Sequence, residues 1–155
     1  MGSSRTAILV AGVAFVCVLG TALAIYLTPL KHFDLVQPGM NEMDPAAFYK
    51  AYSADPNQYL FIDVRTTTQY AAGHAQGAVN IPVADFVDEM SQFPKSGKEI
   101  ALICSDGRLA AIAYGYLEDH GFTNLIHIEG GLQNWTLEGL PVGEGQSTST
   151  APAVK

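Results

Sequence analysis

Apolar residues along this chain gather in short unbroken runs, and between the runs they return every three or four positions. The runs stand at 59–62 (YLFI), 78–81 (AVNI), 100–103 (IALI) and 125–128 (LIHI). Unbroken apolar character over so few residues predicts strands covered on both faces. The intervening segments predict helices. Asp44-Pro45 supplies an N-cap followed by proline at the first helical position, and Phe48 and Tyr52 then form an i, i+4 apolar pair. Asp55-Pro56-Asn57 is a turn. A short helix is expected at 67–72, closed by Gly73, and another at 83–90 with Phe86, Val87 and Met90 on one side. The strongest helix is 109–120, rich in alanine and leucine and stopped by Gly121. Gly130-Gly131 opens a last helical turn carrying Leu132, Trp135 and Leu137. Strands alternating with helices predict an α/β fold: a small parallel β-sheet with helices on both faces.

The N-terminus breaks this pattern. Residues 6–27 read TAILVAGVAFVCVLGTALAIYL, without a charge. At about 1.5 Å per residue such a helix spans a hydrocarbon core. Two readings stand: one N-terminal transmembrane helix that stays, or a secretory signal peptide cut after Ala24 in the run Ala22-Leu23-Ala24. The run exceeds the roughly 7–15 apolar residues of a signal sequence, which favours the anchor. Arg5 and the free amine precede the span and Lys31 follows it, so the N-terminus is expected in the cytoplasm. The soluble domain is then extracytoplasmic, periplasmic or equivalent, on a single-pass tether in the cell membrane. Residues 28–39 are read as a linker, 40–143 as the domain, and 144–155 as a disordered Ser/Thr/Gly/Pro tail.

Charge narrows the partners. The formal net charge is −7, and no basic run exists to track a phosphate backbone, so nucleic acid is not expected. There are two cysteines, Cys17 in the apolar N-terminal span and Cys104 in the domain. They are expected in different compartments and not to pair. The four histidines show no metal-ligand spacing, so no metal is expected.

Cys104 follows the predicted strand 100–103 and precedes the predicted helix 109–120. In open α/β sheets, ligands bind outside the carboxyl ends of strands. A loop there gathers backbone N–H groups, and the helix N-terminus adds positive potential. Gly107 permits a tight turn and Arg108 adds a charge. These features favour the thiolate of Cys104 over the thiol, provided Asp106 faces solvent. Position alone leaves two readings open, a nucleophile or a buried thiol that ends a strand.

The motifs, in order, resemble the rhodanese family. Phe61-Ile62-Asp63-Val64-Arg65 looks like its "IDVR" strand end. Tyr70-Ala71-Ala72-Gly73-His74 and Gly77-Ala78-Val79-Asn80-Ile81-Pro82 look like its "Y-x-x-G-H-x-x-G-A-x-N-I-P" run. Cys104-Ser105-Asp106-Gly107-Arg108 looks like its active-site loop. Glu129-Gly130-Gly131 with Trp135, then Gly139-Leu140-Pro141-Val142, looks like its closing "EGG…W…GLPV". The resemblance implies a single-domain, thiosulfate sulfurtransferase-like enzyme without a cofactor. Cys104 takes a sulfane sulfur from a donor such as thiosulfate or polysulfide, becomes a persulfide, and passes the sulfur to a thiol or other thiophile. The implied partners are a small sulfur-containing anion and a thiol acceptor. Ser105, Asp106, Gly107, Arg108 and Leu109 are the implied substrate-binding loop.

Asp63 and Arg65 read as a structural ion pair and His74 as a hydrogen-bonded loop residue, all supporting the site. His127 reads as a satisfied strand histidine and Trp135 as a core anchor. Two positions depart from the family pattern. Leu109 stands where a second arginine is common, and Gln69 where glutamate is usual. The first removes a donor for an anionic substrate. Two rival functions are a phosphatase and a non-catalytic sulfur-carrier or docking module at the membrane. Phosphatase loops of a related fold use arginine six positions after the cysteine, and Ala110 stands there.

Overall fold

The computed structural model describes residues 39–145. The anchor expected at 6–27, the linker up to 38 and the tail from 146 onward lie outside the described residues. Among the described residues, no helix is long and apolar enough to cross a membrane.

Five parallel strands form the main sheet. They are β1 (Glu42–Met43), β2 (Tyr59–Asp63), β4 (Val79–Asn80), β5 (Glu99–Ile103) and β6 (Leu125–Ile128), in the order β1-β6-β5-β2-β4. Two further strands, β3 (His74–Ala75) and β7 (Val142–Gly143), form a small antiparallel pair. The helices are α1 (Pro45–Ala54), α2 (Thr67–Ala71), α3 (Phe86–Glu89), α4 (Arg108–Asp119) and α5 (Gly131–Leu137).

Alternation along the strands divides the core in two. Leu60, Ile62, Ile100, Leu102 and Leu125 face one side, where Phe86 of α3 and Ala110, Ala113 and Leu117 of α4 cover them. Phe61, Ala101, Ile103, Ile126 and Ile128 face the other, against Phe48 of α1, Tyr70 of α2 and Trp135 of α5. Both faces are dry, which is why these strands read as unbroken apolar runs. The small side chains of Ala110 and Ala113 let α4 lie close to the sheet; both are fully buried.

Local sequence fixes the start of α1 as expected. The Asp44 side chain accepts the Ala47 N–H at 2.9 Å, with Pro45 inside the first turn. Thr66 and Gln69 form a reciprocal capping box on α2. An amide at position 69 therefore serves the helix start as a carboxylate would.

Three expectations are corrected. The helix read at 83–90 is one α-helical turn between two 3-10 turns, Val83–Asp85 and Met90–Gln92. Phe86 is buried but Val87 is 70% exposed, because each helical residue turns about 100° from the last. The strand read at 78–81 keeps its ladder only at Val79–Asn80, beside β2. The β3–β7 pair was not expected, since two residues per strand leave no period to read.

Phe48 sits at the centre of an aromatic cluster, with ring centroids 4.7 Å from Phe61 and 5.4 Å from Tyr59. Phe48→Ala is expected to destabilise the domain by about 3–5 kcal/mol. A denaturant midpoint within error of wild type would show that this cluster does not hold the helix to the sheet.

Candidate active site

Strand β5 delivers Cys104 to the carboxyl end of the sheet, beside the ends of β2 and β6. The chain leaving β5 enters α4 on one face, and the chain leaving β6 enters α5 on the other. Connections that diverge to opposite faces leave a crevice above the strand ends. The loop 104–107 occupies it. Cys104 is only 2% exposed and packs with Leu102 and Ala110. The thiol therefore lies at the base of the loop.

The loop is pinned by its carbonyls. Leu132 N–H donates to Cys104 O at 2.7 Å and Gln133 N–H to Ser105 O at 3.0 Å, both from the start of α5. Gly107 O accepts Ala111 N–H at 2.9 Å and the Nε2 of His127 at 2.8 Å. With the carbonyls engaged, the N–H groups of Ser105, Gly107 and Leu109 donate to no backbone acceptor among the described residues. Gly131 permits the close approach. Its φ is 59°, and a Cβ there would overlap Cys104 O and come within 2.9 Å of the Asp106 and Gly107 nitrogens.

The charges differ from expectation. Asp106 was expected to face solvent, yet its side chain is 34% exposed and its Oδ1 lies 4.0 Å from the Cys104 sulfur. It turns inward because the same oxygen accepts Arg108 N–H at 3.2 Å, a local turn that aspartate favours. Arg108 was expected to add positive charge at the sulfur. Its side chain is instead 88% exposed, with Nε 2.7 Å from Asp106 Oδ2. The Arg108 hydrogen bonds hold the Asp106 carboxyl below the usual carboxylate range, and Asp106 in turn raises Arg108. Ser105 is exposed, and Leu109 leans against the core under α4.

A second layer braces the neighbouring strand end. Asp63 and Arg65 form a buried pair, with Arg65 Nη2 2.6 Å from Asp63 Oδ2 and 2.7 Å from Gly73 O. Asn80 Nδ2 donates to Asp63 O and Arg65 O. The pair thus ties β2 to the turn after α2, as its reading from sequence expected. His74 stacks on Tyr70 with centroids 3.7 Å apart, and its Nδ1 lies 3.0 Å from Tyr70 O. Its contacts are those of a bracing residue. Tyr70 donates its hydroxyl to Ala78 O at 2.6 Å. Burial raises the Tyr70 phenol above its ordinary value, with Asp63 adding to the rise and Arg65 opposing it.

Sequence reasoning did not assign His127 and the start of α5 to the loop. The paired glycines at 130–131 were the visible signal for the second. Nothing in the sequence marked His127, because the contact joins a strand to a turn 20 positions away.

Comparison with known proteins gives one consistent result. The model of the rhodanese-like domain family matches residues 44–138. A sulfurtransferase from Allochromatium vinosum is 28% identical over 103 residues, covering 66% of this chain and 94% of that protein. The tRNA uridine(34) hydroxylase of Escherichia coli is 35% identical over 121 residues, covering 72% of this chain but only 33% of the hydroxylase. A rhodanese-related protein from Thermoplasma volcanium superposes with a TM-score of 0.59 at 28% identity, covering 66% of this chain and 97% of that one. The thiosulfate sulfurtransferase of Pseudomonas aeruginosa, at 18% identity and a TM-score of 0.60, shares the fold over 70% of this chain and 21% of its own.

Two outcomes follow from the geometry. Gly131→Ala is expected to displace the cysteine loop, lowering the alkylation rate of Cys104 several-fold in protein that remains folded; an unchanged rate would contradict the close approach. For Tyr70, a raised phenol stabilises the fold fully below the unfolded value of about 10, and that contribution is lost as pH rises through the folded one. Tyr70→Phe should therefore show a shallower loss of stability above about pH 10 than wild type in denaturant titrations. Equal slopes would refute this.

Proposed function

The chain belongs to the rhodanese-like domain family, and from that premise we propose that it is a sulfurtransferase working through a Cys104 persulfide. The observation that carries the reading is the buried sulfur at the end of β5, beneath a loop in which the Cys104, Ser105 and Gly107 carbonyls are engaged while several N–H groups meet no backbone acceptor among the described residues. The free N–H groups suit a thiolate before transfer and a terminal sulfur anion after it, and they act against the Asp106 carboxylate 4.0 Å from the sulfur. The α4 N-terminus adds positive potential at the same place.

With thiosulfate as donor, the Cys104 thiolate attacks the outer sulfur. The new S–S bond forms as the old one breaks, and sulfite leaves with the electron pair. An acceptor thiolate then attacks the outer sulfur of the persulfide, and the Cys104 thiolate is released. Neither step needs a cofactor or an external proton.

The donor we favour carries little negative charge. Asp106 neutralises Arg108 at the loop mouth, and Leu109 brings no second cation. A monoanionic persulfide of a small thiol meets less repulsion there than dianionic thiosulfate. The acidic chain also argues against a nucleic-acid partner, although one relative is named for tRNA. The uncharged run at 6–27 and the positive flank before it support a tether that holds the domain outside the cytoplasmic membrane.

Treatment with polysulfide should add one sulfur atom to the wild-type chain, removable by thiol, and none to Cys104→Ser. Intact mass reads this directly; no adduct with any sulfane donor would replace the enzyme by a docking module. Leu109→Arg should raise kcat/KM for thiosulfate roughly tenfold, the effect of one partly exposed contact of about 1.4 kcal/mol. No change would refute this account of donor charge alone. A C-terminal reporter active only in the cytoplasm would refute the proposed orientation, and one active only outside it is expected.

A further inference from the structure

His127 is a buried titratable residue that sulfur transfer, as described, does not use. It lies in β6, 5% exposed, with its Cα paired across the sheet to Glu42 of β1 and Leu102 of β5. Its ring touches the underside of the cysteine loop: a Cβ at Gly107 would stand 3.3 Å from the ring Cε1. Nε2 lies 2.8 Å from Gly107 O. A carbonyl oxygen only accepts, so Nε2 carries the hydrogen in this contact. Nδ1 lies 3.2 Å from Oε1 of Glu42 without forming a hydrogen bond, and has no other partner among the described residues.

Holding that carbonyl also fixes what lies across the peptide. The Gly107 C=O and the Arg108 N–H belong to one planar unit and point to opposite edges of it. Arg108 N–H donates to Asp106 Oδ1 at 3.2 Å, and the same oxygen lies 4.0 Å from the Cys104 sulfur. An unbroken series of contacts thus runs from the buried imidazole, through one peptide, to the reacting atom.

We infer that His127 is the positioning residue of the cysteine loop. It fixes the Gly107–Arg108 peptide from below and so sets how well the loop holds the anionic persulfide. The inference rests on the sulfurtransferase reading for its chemistry and on hydrogen-bond geometry for its residue. His127 touches no reacting atom. Its effect is expected on the stability of the charged product, because the fixed peptide is flanked by the N–H groups of Gly107 and Leu109, which have no backbone acceptor among the described residues, and shifting these weakens an anion cradle without removing it.

The test is an equilibrium. Cys104 thiolate and thiosulfate exchange with Cys104 persulfide and sulfite, with one S–S bond formed and one broken in each direction. Intact mass of the full chain in mild detergent, at a fixed thiosulfate-to-sulfite ratio, gives the persulfide-to-thiol ratio. His127→Phe keeps the ring volume and loses the donor; the ratio should fall roughly tenfold. His127→Gln places an amide N–H near the position of Nε2 and should return it to within about twofold of wild type. A folded His127→Phe with the wild-type ratio overturns the inference, as does an equal fall in both variants, which would indicate packing alone. Ring nitrogen NMR of the wild type gives a readout that needs no variant. Nε2 should carry a hydrogen, and its resonance should move when Cys104 is loaded; a bare Nε2 or an unmoved resonance overturns the inference. If wild type takes up no sulfur, the sulfurtransferase reading fails. The positioning role is then judged by Cys104 alkylation, slowed or quickened in His127→Phe and restored in His127→Gln if it holds, and equal in all three proteins if it does not.

Discussion

The hydrogen bond from Leu132 N–H to the carbonyl of Cys104, 2.7 Å long, is the constraint on which the site depends. It joins the loop that follows one strand to the helix that follows the next. For it to form, β5 and β6 must be paired in the register Ala101–Ile126, and their connections must leave on opposite faces. Residue 131 must also lack a side chain. Each condition is met by a different level of the sequence. The apolar runs set the sheet, the alanines of α4 let that helix lie close, and tandem glycines bring α5 up to the loop. Once the Cys104 carbonyl is engaged, the peptide that follows it has one orientation available, and the remaining loop contacts build on it.

The site combines a dry base with a polar mouth. Beneath the sulfur lie Leu102 and Ala110, and above it an ion pair faces solvent. The exposed Asp106–Arg108 pair contributes little to stability, as surface pairs generally do. Its importance is electrostatic and local. It leaves the approach to the sulfur close to neutral, where a pair of free cations would attract strongly charged anions. By contrast, Asp63 and Arg65 are buried with their hydrogen-bonding groups engaged by Gly73 and Asn80. A pair of that kind holds geometry, and removal of one partner would leave a buried charge uncompensated.

Most of the fold was legible because its strands are covered on both sides and its first helix carries an explicit cap. The runs at 59–62, 100–103 and 125–128 all became strands, and Asp44 and Pro45 mark a real helix start. Position, together with the family motifs, located Cys104 and the Asp63–Arg65 pair. What was not legible depends on side-chain direction or on distant contact. Asp106 turned toward the sulfur because a turn bond outweighed its preference for water, while the Arg108 side chain stays in solvent, paired with the other carboxylate oxygen. Val87 left its expected face because it stands about 100° around the helix from buried Phe86. His127 looked like one more core residue of a strand, and only the folded backbone brings Gly107 above it.

The edges of the main sheet are β1 and β4, each only two residues long. An exposed strand offers its unpaired N–H and C=O groups as a template for pairing with another chain. Here the long, strongly apolar strands β2, β5 and β6 are all interior, and what remains at the rims is too short to seed a ladder. The protection against strand-by-strand aggregation is therefore topological. It follows from the order in which the strands are laid down, and it holds in a molecule whose strands carry few charges to keep neighbours away.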